Sequence, residues 1–222
     1  MWLRKFIKDN IFFFYPLTAC LFAGALFIYL YTKDIILLAV NSRYSPYSDL
    51  FFKWFTHVGD GNTVLILTGL LLLFVSKEKG LVLGISYAVT NIPVQLVKIY
   101  AFAENYRPKS YFWNDYSRLH FIEGVEILVS NSFPSGHTAT AFSMFLILSF
   151  WMKNKLASFF FFTMAFLVGY SRMYLALHFF ADVYAGAFFA VFATTLAIYF
   201  LNEKYRLQDR PNLQKGFISG LN

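Results

Sequence analysis

From Ile11 to Tyr31 the chain runs without one charged side chain, far enough to cross the hydrocarbon core of a bilayer as a helix. No water is present in that core to satisfy backbone N–H and C=O groups, so a spanning segment must close its hydrogen bonds within itself. Apolar runs of this kind recur at residues 60–75, 80–100, about 138–152, 156–173 and 178–201. The chain is therefore expected to be all-α, a polytopic membrane protein built as a bundle of six transmembrane helices. Composition agrees, because 58% of the 222 residues are hydrophobic and only 14% charged, unlike a soluble domain of this size. No internal repeat interrupts it, and residues 1–222 read as one domain.

The segments between the runs set the topology. Lys33 to Gly59 mixes charges with Tyr44, Tyr47, Phe51, Phe52, Trp54 and Phe55. Such a belt suits short interfacial helices, placed here on the outer side. One side of the membrane takes eleven basic residues (Arg4, Lys5, Lys8, Lys77, Lys79, Lys153, Lys155, Lys204, Arg206, Arg210, Lys215) and the other takes eight (Lys33, Arg43, Lys53, Lys98, Arg107, Lys109, Arg118, Arg172). By the positive-inside rule both termini are cytoplasmic. The long polar connection 101–133 then lies outside. The formal charge of +7 sits at the ends of apolar runs, which argues against a nucleic-acid partner. Leu17-Thr18-Ala19-Cys20 looks like a lipoprotein cleavage box, but apolar sequence continues beyond it and the run reads as a membrane helix. With Cys20 as the single cysteine, no intramolecular disulfide or cysteine-based metal site can form.

Ionisable residues at membrane depth are costly and mark functional sites. Arg172, His178 and Asp182 fall within the stretch Ser171–Asp182, between two apolar runs. The spacing of His178 and Asp182 puts them on one helical face if a helix starts just before His178. The carboxylate would then fix the imidazole tautomer and leave the other nitrogen free as base or nucleophile. Arg172 lies off that face, so a break is expected near Tyr174 to Leu177. A structural His–Asp pair, with Arg172 reaching to the interface, is the plain alternative. Pro134-Ser135-Gly136-His137 opens the fourth run. There a helix N-terminus, the Gly136 amide and the Ser135 hydroxyl would receive an anion beside His137 as general acid. A simple helix cap is the plain alternative for Ser135. In the third run Asn91, Gln95 and Lys98 form a polar stripe, with Asn91 and Gln95 read as interhelical hydrogen-bonding groups and Pro93 as a kink. Lys98, Arg107 and Arg172 with two histidines call for a phosphoryl group, and without a carboxylate cluster the cations stand where a metal would.

Lys98, Arg107-Pro108, Pro134–His137 and Ser171-Arg172 through His178 to Asp182 together resemble the type 2 phosphatidic acid phosphatase superfamily, over about Gly80 to Ala190. Eight residues separate Lys98 from Arg107 where the family usually has six, and Tyr100 stands at the family's lysine position. The resemblance implies His178 as the nucleophile that forms a phosphohistidine, oriented by Asp182. It implies His137 as acid and then base, and Arg107, Arg172, Ser135, Gly136 and Lys98 as phosphate ligands, with no metal and no cofactor. The partners it implies are a phosphorylated membrane lipid and the bilayer itself, at the periplasmic face of a bacterial inner membrane, with no obligate protein partner. Lipid A is the foremost substrate on this resemblance, ahead of undecaprenyl diphosphate, phosphatidylglycerol phosphate and phosphatidic acid. A lipid phosphotransferase and a non-catalytic lipid binder are the rival classes.

Overall fold

The computed structural model describes residues 1–219; the last three residues of the expected polar tail, and with them the C-terminus assigned to the cytoplasm, lie outside that range. Among the described residues every regular element is helical. In order these are α1 (Trp2–Asp9), α2 (Ile11–Leu30), α3 (Lys33–Asn41), α4 (Pro46–Phe55), a 3-10 turn Thr56–Gly59, α5 (Gly61–Leu70), a π-helical turn Leu71–Val75, α6 (Lys77–Tyr100), α7 (Pro108–Tyr111), α8 (Gly136–Met152), α9 (Lys155–Tyr174) and α10 (Phe180–Ile198). Short turns of the tail follow.

Among the described residues, four helical runs are long and apolar enough to cross a membrane: Ile11–Leu30, Lys77–Tyr100, Lys155–Tyr174 and Phe180–Asp209. A fifth appears if Pro46–Gly59 and Gly61–Val75, which meet at 56°, count as one bent span. The run expected near 138–152 is α8, of 17 residues, about 25 Å long at the helical rise. By length and apolarity alone four or five runs qualify as spans, and α8 falls short on length.

What α8 lacks in length it makes up in burial. It packs against α6, α9 and α10, and Thr138 through Ile147 are buried without a break. A helix apolar all round belongs in the middle of a bundle. Small polar side chains fasten it there. Ser143 lies 2.7 Å from Thr194 of α10 and 3.4 Å from Thr90 of α6, and Ser149 lies 2.7 Å from Asn10 and 2.8 Å from Ser158. Each hydroxyl finds a partner across a helix contact, which is how polar groups are tolerated at membrane depth. At the opposite end from Lys98, the wide turn Leu71–Val75 leaves carbonyls that the tail satisfies: Phe217 and Ile218 donate N–H to Leu72 and Leu73, each at 2.9 Å.

The expected break between α9 and α10 is a capped helix end. Leu177 N–H donates to the Arg172 carbonyl and Ala176 N–H to that of Met173, the paired bonds of a Schellman motif. Ala176 takes the left-handed position, φ +52°, where glycine is usual and an L side chain costs roughly 1–2 kcal/mol. His178 N–H also reaches the Arg172 carbonyl, at 3.1 Å, so this turn fixes His178 against the end of α9. The chain runs unbroken through Pro93, from Lys77 to Tyr100. Replacing Ala176 by Gly is expected to raise the thermal unfolding temperature in detergent, by the equivalent of up to ~1 kcal/mol. Ala176→Val should lower it by more than Gly raises it, because a β-branched residue tolerates positive φ least. Equal temperatures for the two variants would show that the turn relaxes elsewhere.

Candidate active site

Helices α6 and α9 end, and α8 and α10 begin, around one cavity of about 270 Å³. Lys98, Arg107, Gly136, His137, Arg172 and His178 all line it. Asp182 and Ser135 are not on its wall, and each has a partner that explains why. Asp182 is the third residue of α10, and its Oδ2 accepts the Phe179 N–H at 2.9 Å, as in a capping box. The same oxygen accepts from His178 Nδ1 at 3.2 Å and from the Ser132 hydroxyl at 2.5 Å. Helix α10 begins at Phe180, so His178 stands just before it, and the pair meets by a cap reaching backwards rather than by sharing a helical face. The outcome for the imidazole is the one the spacing suggests: Nδ1 is tied, and Nε2 is left for the cavity.

Ser135 is the N-cap of α8, its Oγ accepting the Thr138 N–H and lying 2.9 Å from the Thr138 hydroxyl. Its own N–H donates to the Asp182 carbonyl, which joins the two helix starts. A Cβ on Gly186 would come within 2.6 Å of the Ser135 carbonyl, so glycine there lets α10 close on this turn. Gly136 begins α8, and its N–H has no intrahelical acceptor; it faces the cavity at the positive end of the helix.

The cations are held differently. Arg107 donates to three backbone carbonyls, Nε to Ser130, Nη1 to Leu177 and Nη2 to Asn131. It therefore staples the loop to the residue before His178. Arg172 Nη1 donates to the Thr56 hydroxyl at 2.7 Å, while its buried Nε has no partner. Lys98 lies in the last turn of α6, on the buried side with Asn91 and Val94, and is itself 7% exposed. Tyr100, at the position where the family's spacing would put a lysine, is 82% exposed and points away. Asn91 bridges helices as expected, accepting from Thr140 at 3.0 Å, and it lines the cavity together with Gln95. Burial first, then Arg107, Arg172 and Lys98, hold the His178 pKa well below the ordinary 6.5. The imidazole is thus neutral near pH 7.

Three side chains here drew no attention in the sequence. Ser132 completes the bonds to Asp182. Thr56 anchors Arg172. Asp60 places Oδ2 3.7 Å from His137 Nε2. The only signal any of them carried was an ordinary helix-cap or loop residue type. Among the described residues, no three His, Cys, Asp or Glu side chains are grouped to hold a metal ion. An oxyanion with tetrahedral geometry, by contrast, would meet three cations, a helix N-terminus and two imidazoles.

A model of the PAP2 superfamily matches residues 79–206, more than half of the chain. The crystal structure of Aquifex aeolicus LpxE is similar with a TM-score of 0.60 and 28% identity, over 73% of this chain and 92% of that one. The crystal structure of a transmembrane PAP2 type phosphatidylglycerolphosphate phosphatase from Bacillus subtilis is similar with a TM-score of 0.56 and 19% identity, over 93% and 98%. No curated protein matches the sequence.

Lys98 is buried beside two other cations, a cost that hydrophobic replacement removes. Lys98→Met is expected to leave the unfolding temperature in anion-free buffer unchanged or raised. The upward shift that orthovanadate produces in the unmodified protein should shrink in the variant. An undiminished vanadate shift would show that Lys98 does not face the anion.

Proposed function

The chain belongs to the PAP2 superfamily, and on that premise we propose that it dephosphorylates a membrane lipid by way of a phosphohistidine on His178. What carries this reading is the convergence of Lys98, Arg107 and Arg172 on one cavity with both histidines and no lining carboxylate. The unpartnered Arg172 Nε is the kind of buried donor that a phosphate oxygen would satisfy.

In the proposed reaction the phosphate oxygens lie against Lys98, Arg107, Arg172 and the Gly136 N–H, with Ser135 shaping that turn from behind. His178 Nε2 attacks phosphorus, and the bond from phosphorus to the lipid oxygen breaks as His137 gives that oxygen a proton. Asp182 holds the imidazole through Nδ1 and balances the charge it gains. Water then attacks the phosphohistidine, His137 takes its proton, and inorganic phosphate leaves. The cations supply the charge stabilisation, so no metal and no cofactor enter the proposal.

Lipid A is the substrate this reading favours. Similarity to LpxE at 28% identity supports it, whereas the phosphatidylglycerolphosphate phosphatase, at 19%, shares the fold alone. The eleven-to-eight division of basic residues supports cytoplasmic termini in a bacterial inner membrane, and α8 counted with the five longer runs would make six spans. That the cavity lies at the end of the bundle away from Lys77, Lys79, Lys153 and Lys155 supports a periplasmic site, and α3 and α4 would rest at that interface.

Phosphate release from a panel of purified lipids by the detergent-solubilised protein tests the activity. Free phosphate is the expected result, whereas a phosphorylated acceptor lipid would make the protein a transferase and neither product would make it a binder. His178→Ala should abolish acid-labile, base-stable label after a pulse with labelled substrate. His137→Ala should instead form label from a good leaving group and stall there. Label in His178→Ala but not in His137→Ala would reverse the roles. Activity is expected to survive EDTA and to be blocked by vanadate. A reporter inserted near Asp115 should read as periplasmic; a cytoplasmic reading would overturn the orientation.

A further inference from the structure

The bent pair of helices breaks where its backbone comes closest to the cavity. After α4 the chain makes the 3-10 turn Thr56–Gly59 and then α5 leaves at an angle of 56°. Gly59 is packed so tightly that an added Cβ would lie 2.8 Å from the His137 carbonyl and 2.5 Å from Val168. This one turn touches two members of the site. At its start Thr56 accepts from Arg172. Immediately after its end Asp60 N-caps α5, Oδ1 accepting the Asn62 N–H at 2.9 Å, while Oδ2 faces His137 Nε2 at 3.7 Å.

The two carboxylate oxygens therefore do different things, and only the first is needed to start a helix. His137 is also faced by Arg172 from α9, Lys98 from α6, His57 from the 3-10 turn and His178 from the turn before α10. Burial first, and then both of those cations, oppose a proton on its ring. A general acid must nevertheless carry one when the lipid oxygen departs. Among the described residues, Asp60 supplies the carboxylate within 4.0 Å of a His137 nitrogen.

We infer that Asp60 is the positioning residue for His137: its carboxylate orients the ring and favours the protonated form that the leaving oxygen requires. The inference rests on the phosphohistidine reading above and adds a second histidine–carboxylate pair, one for the nucleophile and one for the acid and base. His178–Asp182 is sealed, with both side chains at 5% exposure or less, whereas His137 and Asp60 are about a third exposed, at 30% and 33%. A sealed pair suits a nucleophile whose tautomer must not change. An open pair suits a group that must hand a proton to the lipid oxygen and take one from water. Asp60 touches neither phosphorus nor the lipid oxygen, and it acts through His137.

Asn and Ser are good N-caps, so Asp60→Asn removes the charge and keeps the start of α5. Release of labelled phosphate from a radiolabelled lipid is measured for wild type and Asp60→Asn, and the initial rate of label formation from a labelled aryl phosphate for His137→Ala and the double variant, which stall before release, with Asp60→Ser as a second cap-preserving form should the first fail to fold. Asp60→Asn is expected to lower the rate by about 10- to 100-fold, within the range of a general-acid contribution. In the His137→Ala background the same change should slow label formation by less than about twofold, because the group through which Asp60 acts is gone. The unfolding temperature should stay within a degree or two of wild type, as expected for exchange between good caps. An equal loss in both backgrounds would assign Asp60 to Arg172 or to the helix cap and overturn the inference, as would no loss in the first. His178→Ala is run alongside as a control. If it still releases phosphate, the phosphohistidine reading fails; if it is inactive while Asp60→Asn behaves as wild type, the inference alone fails.

Discussion

Three cations buried around one cavity with no carboxylate on its wall are an unfavourable arrangement, and much of the structure near them can be understood as what keeps them there. Charges taken out of water are costly unless paired, and like charges at close range repel. Arg107 is compensated by three carbonyl dipoles. Lys98 sits in the last turn of α6, where the helix dipole favours a cation. Arg172 has one hydroxyl and an orphaned Nε. The compensation is partial, and what it leaves over is a standing attraction for an anion. The helices that carry these groups are fixed by the burial of α8 and by its polar contacts to α6, α9 and α10, remote from the charges themselves.

The segment that carries α3 and α4 braces the same assembly from the other side. Tyr174 is the last residue of α9, and its hydroxyl donates to Asp49 at 2.5 Å. Its carbonyl accepts from Asn41, which in turn binds both the N–H and the carbonyl of His120. His120 also meets Asp49 at 2.9 Å and stacks on Tyr44. Helices α3 and α4 and the long loop are thereby locked to the end of α9, two residues from Arg172. Aromatic and charged residues crowded between apolar runs form a clamp on the turn that presents His178.

Much of the bundle was legible because membrane spans obey one rule, that backbone polar groups be satisfied within the segment. The apolar runs accordingly fall where α2, α5, α6, α8, α9 and α10 are found. The run expected near 138–152 was already short, and α8 keeps that shortness at 17 residues, because a helix sheltered by its neighbours need not match the bilayer. The break before His178 was inferable from spacing, yet its cap was hidden: Ala176 stands where the usual signal is glycine. Lys98 was obscured by its distance from Arg107, and only the side of α6 it shares with Asn91 and Val94 settles where it points. Ser132, Thr56 and Asp60 were illegible for another reason. Serine, threonine and aspartate are routine in caps and loops, and what distinguishes these three is contact across 50, 116 and 77 positions of sequence. Gln95 went the other way, since a glutamine read as a bridge between helices faces the cavity.

For the proposed reaction, burial sorts the two histidines. His178 is sealed, with Asp182 on Nδ1 and cations around it, so its ring stays neutral and its free nitrogen stays nucleophilic until phosphorus arrives. Once the phosphoryl group is attached, the same Arg107, Arg172 and Lys98 that opposed a proton on His178 neutralise the transferred oxygens instead. The electrostatics that keep the nucleophile neutral therefore also stabilise its product, and one arrangement serves both. His137 receives no such protection. It stands at the open side of the cavity, on a helix N-terminus that disfavours added positive charge, and must still carry a proton at one step and accept one at the next. A group asked to do both needs a balance between cations and a carboxylate, and the turn after α4 brings that carboxylate to 3.7 Å.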